Sequence, residues 1–322
     1  MIDIKKIIEN FSQQFKFNPI IGNKENLREF KKIIVVGMGG SHLAADLLKI
    51  AKPNLNIIIH KNYGLPAIID NSSLIIASSY SGDTEETISA FKTALSKGLN
   101  LAVISVGGEL LKFAKKNNIS YIQLPDVGLQ PRMALGYSLT ALLKLIGDEK
   151  ELRNLAELAD LLDYKNCEKE GKRLASKIIN KIPIIYSSAD NEALALIWKI
   201  IINESVKIPA FYNVFPELNH NEMISFDVIQ STELLSDKFH FIFLKDKSDN
   251  QKIIKRMKLC QKLYENRGFK VENLDLKGNS FLEKALNSLL IVNFCSYYLS
   301  ELYGIEPEKT PMIEEFKKMM QN

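Results

Sequence analysis

The chain of 322 residues is 46% hydrophobic and 25% charged, and its 42 basic and 38 acidic residues leave a net charge of only +4. That balance excludes a disordered or fibrous chain and shows no concentrated basic footprint of a nucleic-acid binder. The length suits two domains.

The opening stretch, MIDIKKIIENFSQQF, carries acids early and no apolar core segment, so it is not expected to act as a secretory signal. From residue 31 short apolar runs alternate with helical stretches. Residues 33–36 (IIVV) read as a strand that ends in Gly37-Met38-Gly39-Gly40-Ser41, and a helix follows with Leu43, Leu47 and Ile50 on one face. Residues 56–59, 74–77, 101–106 and 119–124 read as further strands, the last stopping at Pro125. Helices are expected between them, one carrying Ile88, Phe91 and Leu95 on one face before Gly98, and another over 109–117. Continuous apolar strands separated by helices imply a parallel sheet covered on both faces. The charged stretch 149–153 marks the expected boundary, giving domains 1–150 and 151–322.

The same grammar then restarts. Residues 182–186 read as a strand, followed by a Ser-Ser turn and a helix through Trp198. A strand over 240–244, a helix over 250–266, a strand over 269–274 and a long apolar helix over 281–302 come next. The uncharged run 285–300 is too short and too polar to span a bilayer, so no membrane association is expected. Residues 310–322 form an amphipathic helix with Met312, Ile313 and Phe316 as apolar positions. Cys167, Cys260 and Cys295 are far apart, and His42, His60, His220 and His240 lack ligand spacing. Neither a disulfide framework nor a metal site is expected, and a cytoplasmic location is.

Two turns between strand and helix are candidates for anion binding. At Gly37-Met38-Gly39-Gly40-Ser41 the glycines allow backbone N–H groups to approach an anion, although the run is equally a tight strand–helix turn. His42 stands where a dinucleotide fingerprint needs glycine, and no P-loop lysine follows. The second turn, Ser78-Ser79-Tyr80-Ser81-Gly82-Asp83-Thr84-Glu85-Glu86-Thr87, gathers the hydroxyls of Ser79, Ser81 and Thr84 at a helix start. One helix cap needs one hydroxyl, so the cluster is in excess of capping. Such hydroxyls can hold a phosphate, provided the acids Asp83, Glu85 and Glu86 point away.

Three further residues could carry chemistry. Glu204 closes a helix; a carboxylate beside the negative end of the helix dipole is poorly stabilised as an anion, which suits a proton acceptor, but the position is also that of a solvated helix end. His220 lies in a polar loop between Asn219 and Asn221, where it could titrate in catalysis or simply hydrogen-bond. Arg132 is one of six arginines against 36 lysines and sits in a largely uncharged stretch. Its fixed guanidinium could stabilise an anionic intermediate or pair with a carboxylate at a helix start.

The serine-rich loop resembles the sugar-phosphate loop of the sugar isomerase (SIS) domain. The block Pro209-Ala210-Phe211-Tyr212-Asn213-Val214-Phe215-Pro216-Glu217-Leu218-Asn219-His220-Asn221-Glu222 resembles the signature of bifunctional phosphoglucose/phosphomannose isomerases, as does Gln130-Pro131-Arg132-Met133-Ala134-Leu135-Gly136-Tyr137-Ser138. The resemblance runs from Gly37 to Lys317 and departs from the family pattern at His42, Gln130 and Asp83, none of them a residue the chemistry needs. It implies an α/β fold of two SIS domains, each a doubly wound parallel sheet flanked by helices. It implies reversible isomerisation of glucose 6-phosphate and mannose 6-phosphate to fructose 6-phosphate without a cofactor. By resemblance, Gly39, Gly40, Ser41, Ser79, Ser81, Thr84 and Thr310 bind substrate, His220 with Lys317 opens the sugar ring, Glu204 moves the proton between C1 and C2, and Arg132 steadies the intermediate. It also implies a homodimer in which the histidine reaches the partner's glutamate. The alternatives are a non-catalytic SIS module, which would not need Glu204, His220 and Arg132 together, and another SIS enzyme such as an amino-sugar isomerase.

Overall fold

The computed structural model describes residues 3–320. The chain divides into two compact units, one of Asn10–Leu162 and one that joins the segment up to Glu9 to the chain from Asp163 onward. Helix α1 (Ile4–Glu9) thus belongs to the second unit, where Ile8 is buried and Lys5 pairs with Glu168 at 2.8 Å.

In the first unit the elements are β1 (Ile21–Gly22), β2 (Lys32–Val36), α2 (Leu43–Ala51), β3 (Ile57–His60), β4 (Ser73–Ser78), α3 (Glu85–Ser96), β5 (Asn100–Ser105), α4 (Gly108–Lys116), β6 (Ser120–Gln123), α5 (Leu135–Ile146) and α6 (Glu149–Leu161). The sheet order is β1-β6-β5-β4-β2-β3, parallel except for the two-residue edge strand β1. Ile34, Val36, Ile75 and Val103 from the strands share one core cluster with Phe91 and Leu110 from the helices. Burying such a side chain contributes about 1.5–3 kcal/mol, which is why runs without polar alternation become central strands. The strand order reverses between β2 and β4, and ligands of open α/β sheets bind at such a switch point, beyond the carboxyl ends of the strands.

The boundary expected at residue 150 falls inside this unit. The charged stretch there is the exposed side of α6, not a linker. Asp148 caps the helix by accepting from Glu151 N at 3.0 Å, and Lys52 fastens it with ion pairs to Asp148 (3.1 Å) and Glu151 (2.6 Å).

The second unit contains α7 (Tyr164–Ile178), β7 (Ile182–Ser188), α8 (Glu192–Val206), β8 (Phe211–Phe215), α9 (Glu233–Ser236), β9 (Phe239–Lys245), α10 (Gln251–Glu265), β10 (Val271–Asp275), α11 (Phe281–Tyr303) and α12 (Pro311–Met320). Its sheet is parallel throughout, in the order β10-β9-β7-β8. Long α11 packs against α7 and α8, and buried Trp198 donates to Ser288 Oγ at 2.8 Å. An aromatic core of Tyr186, Phe215, Phe226, Phe241, Phe243 and Tyr264 fills the other side. Residues 321–322 of the expected last helix lie outside the described residues, and none of the described residues of α12 is buried. Among the described residues no helix is long and apolar enough to cross a membrane.

Candidate active site

The turn after β2 and the loop after β4 emerge side by side at the first switch point, because Val36 and Ala77 are register partners. Two hydrogen bonds tie them together: Ser78 Oγ donates to Ser41 O at 2.8 Å, and Tyr80 N donates to Ser41 Oγ at 3.0 Å. Within the second loop Gly82 N donates to Ser79 Oγ (3.0 Å), and Ser79 Oγ lies 2.9 Å from Thr84 Oγ1. Ser79 is fully buried, so it builds the loop, whereas Ser81 is exposed and Thr84 partly so. Thr84 occupies the N-cap position of α3, yet its hydroxyl makes no capping bond. The helix start therefore presents uncapped backbone N–H groups beside the hydroxyls of Ser81 and Thr84, a combination that suits an anion.

Asp83 does not oppose that anion. Its Oδ1 accepts from Glu109 N at 2.8 Å in the first turn of α4, which turns the carboxylate toward the neighbouring helix. The loop is pressed against the turn after β5 at Gly82, where φ is +83° and an added Cβ would lie 1.9 Å from Gly107 O. Only glycine satisfies both the conformation and the contact. His42, buried beside Ser41, pairs through Nδ1 with Asp46 one helical turn on.

Arg132 is brought to this site. It is 3% exposed, in the short 3-10 turn Pro131–Met133. A Cβ on Gly40 would stand 2.7 Å from both Arg132 N and Pro131 C, so the bare Gly40 backbone lets the arginine turn lie directly on the Gly-Gly-Ser turn. Gln14 holds the turn from behind: its Nε2 donates to Met133 O at 2.7 Å, and Gly136 N donates to its Oε1 at 3.0 Å. The sequence reading missed Gln14, because its partners lie about 120 positions away and leave no local signal. Gly39, Gly40, Ser41, Ser79, Ser81, Thr84 and Arg132 thus all lie in the first unit, along the turns beyond β2 and β4 and the arginine turn laid on them.

Glu204, His220, Thr310 and Lys317 lie in the second unit. Glu204 is half-buried in the last turn of α8, which ends at Lys207 in a left-handed conformation (φ 58°). Lys207 Nζ donates to Glu306 O at 2.5 Å, linking this helix end to the segment that leads into α12. Thr310 precedes Pro311, the first residue of α12, and Glu314 N donates to Thr310 O at 3.1 Å. Lys317 is exposed on that helix. His220 is not in an irregular loop but ends the 3-10 turn Glu217–His220 that follows β8. It lines a pocket of about 240 Å³ with Asn219, Met223, Asp227, Tyr264 and Arg267.

Glu204 and His220 are not brought together within one chain. Helix α8 crosses back over the sheet between the parallel strands β7 and β8, so Glu204 lies at the amino end of β8 and His220 beyond its carboxyl end. The five-residue strand alone separates those ends by about 13 Å.

The switch point of the second sheet, between β7 and β9, is differently furnished. Ser188 Oγ donates to Asp249 Oδ1 at 2.6 Å, Asn191 Nδ2 donates to the same oxygen at 3.3 Å, and Asp246 pairs with Lys284 at 2.6 Å. Burial pushes the Asp249 carboxyl above its ordinary value. The acidic side chains at this second switch point contrast with the hydroxyls that line the turns beyond β2 and β4.

Residues 167–320 match the family described as "Bacterial phospho-glucose isomerase C-terminal SIS domain". The chain is 33% identical to a bifunctional phosphoglucose/phosphomannose isomerase of Aquifex aeolicus, over 99% of this chain and 98% of the relative. It is 34% identical to one of Caldicellulosiruptor bescii, over 97% and 96%. Among solved structures, the C-terminal domain of glucosamine-fructose-6-phosphate aminotransferase from Francisella tularensis has the same fold, with a TM-score of 0.69 at 15% identity over 95% of this chain and 96% of that one.

Proposed function

The chain belongs to the family of bifunctional phosphoglucose/phosphomannose isomerases, and we propose that it interconverts glucose 6-phosphate and mannose 6-phosphate with fructose 6-phosphate by proton transfer through a cis-enediol. The observation that carries this reading is the uncapped, hydroxyl-lined helix start beside a buried arginine turn, in a chain that matches its relatives from end to end.

In this reading the phosphate is held by α3 N–H groups and by the hydroxyls of Ser41, Ser81 and Thr84, with Gly39 and Gly40 giving close backbone approach and Thr310 adding a contact. His220 and Lys317 open the ring by moving a proton between the hydroxyl on C1 and the ring oxygen. Glu204 takes the C2 proton and returns it to C1, while Arg132 neutralises the enediolate oxygen. The intermediate is planar at C2, so the configuration that distinguishes glucose from mannose is lost there and one site serves both. Proton transfer of this kind needs no metal or organic cofactor. The separation of Glu204 from His220 within a chain supports a homodimer in which each partner supplies one of them. So do the exposed apolar residues Met312, Phe316 and Met319 on α12 and Leu234 and Leu235 on α9, which a second copy would cover.

Two measurements test the reading. Purified protein in the presence of a chelator is expected to form fructose 6-phosphate from both epimers; absence of either activity, or its dependence on added metal, would overturn dual use. Ser81→Ala removes an exposed hydroxyl that accepts a long bond from Asp83 N (3.3 Å) within the loop, so the melting temperature is expected to change little while KM for both epimers rises roughly ten- to hundredfold, the equivalent of about 1.5–3 kcal/mol for a hydrogen bond to a charged group. An unchanged KM would move the phosphate elsewhere.

A further inference from the structure

The residues on either side of His220 are fastened, while the imidazole itself is exposed and, among the described residues, makes no hydrogen bond. Glu222, two positions on, sends its carboxylate back to the sheet. It accepts from the hydroxyl of Tyr186, a fully buried residue of β7, and from Asn213 Nδ2 of β8 at 2.5 Å. Asn213 is itself fixed, because its Oδ1 accepts from Val214 N at 2.8 Å. The clamp then passes to the histidine through Asn221. Glu222 N donates to Asn221 Oδ1 at 2.6 Å, and Asn221 Nδ2 donates to Glu217 Oε1 at 2.7 Å across the turn that ends in His220. On the other side, Arg256 of α10 donates to Asn219 Oδ1 at 3.3 Å.

Packing alone explains why the segment stays on the sheet, since Leu218 and Phe226 are buried in the aromatic core. It does not explain why a carboxylate is sent under the segment to meet two strand side chains. Two donors on one carboxylate fix its position, and the Asn221 bridge transmits that position to the backbone of His220.

We propose that Glu222 is the positioning residue of the ring-opening step: anchored by Tyr186 and Asn213, it sets through Asn221 the position from which His220 reaches the sugar ring. The proposal rests on the reading of His220 as the ring-opening group. It separates Glu222 from the proton transfer at carbon, which an open-chain substrate reports by itself. Erythrose 4-phosphate serves as that substrate, because its phosphorylated O4 leaves no hydroxyl to close a ring.

The experiment measures kcat and KM on glucose 6-phosphate, deuterium exchange at C2 of erythrose 4-phosphate, and melting temperature for His220→Ala, Glu222→Ala, Glu222→Gln and Tyr186→Phe. Glu222→Ala is expected to lower kcat on the cyclic substrate roughly ten- to hundredfold with little change in KM, the size of effect that misplacing a catalytic group by about an ångström produces. Exchange into the open-chain substrate is expected to stay at the wild-type rate. Glu222→Gln, whose single amide oxygen can accept from one of the two anchoring donors but not from both as placed, should fall between Glu222→Ala and wild type. Tyr186→Phe, which deletes only a hydroxyl, should lower kcat in the same selective way and keeps the test open should Glu222→Ala fold poorly. Equal loss of cyclic turnover and open-chain exchange would make Glu222 a merely structural residue, and unchanged cyclic turnover in Glu222→Ala and Tyr186→Phe would remove it from the reaction. His220→Ala separates the two levels. If it loses cyclic turnover while the Glu222 variants do not, the proposal alone fails; if it keeps cyclic turnover, the reading of His220 fails and the proposal with it.

Discussion

Glu204→Gln is expected to abolish isomerisation of both epimers and to stop solvent deuterium from entering C2 of any substrate, cyclic or open. The C2 proton is weakly acidic and leaves only to a base held beside it, and such a placed base contributes roughly 10²–10⁴ in rate. Glutamine keeps the size of the side chain in the half-buried last turn of α8 and removes its basicity, so the melting temperature should change little. Nuclear magnetic resonance of C2 reads the exchange directly. A near-native exchange rate in Glu204→Gln would show that another group is the base. Because Glu204 and His220 lie at opposite ends of β8, mixing Glu204→Gln with His220→Ala subunits should regain part of the activity through mixed dimers, one of whose composite sites keeps both native residues. No recovery after verified subunit exchange would place both roles in one chain.

Arg132→Lys is expected to cost roughly 10²–10³ in kcat, the range for removing one preorganised donor to a developing oxyanion. The substitution keeps the charge, but a single ammonium on a flexible stem does not reproduce a planar guanidinium fixed by burial. Gly40→Ala is expected to lower kcat in the same direction without touching the arginine. Its Cβ would stand 2.7 Å from Arg132 N and push the turn away from the Gly-Gly-Ser segment. Steady-state kinetics on both epimers, with the melting temperature as a control for folding, measures both effects. Native kcat in a folded Arg132→Lys enzyme would leave the oxyanion to a different donor.

Much of the fold was legible along the chain. Strands β2, β4, β5 and β9 are each built on an apolar run of four residues, and such runs are stable in the middle of a covered parallel sheet. The excess of hydroxyls at Ser79, Ser81 and Thr84 was also visible, because capping is a local demand that one hydroxyl satisfies. Strand β8 was not read as a strand: Phe211 is exposed and Asn213 polar, as an edge position permits. The domain boundary was misplaced for a related reason. The acids and lysines of α6 resemble a solvated linker until Lys52 is seen to reach across from the end of α2.

By itself, then, the sequence determined the strand–helix alternation, the hydroxyl-rich turn at a helix start and the family, all of which depend on residues close to one another in the chain or on a continuous motif. Only the tertiary structure decided which way the candidate groups face. Asp83 turns toward α4 because the first turn of that helix, some 26 residues on, offers it an N–H. Ser79 is buried, and Arg132 lies on Gly40, because loops distant in sequence leave the same end of one sheet. Glu204 and His220 part company because a helix joining two parallel strands must run back along the sheet. Hydrophobic pattern selects elements through neighbours within about one turn, whereas the direction of a side chain is set by partners that sequence spacing does not reveal.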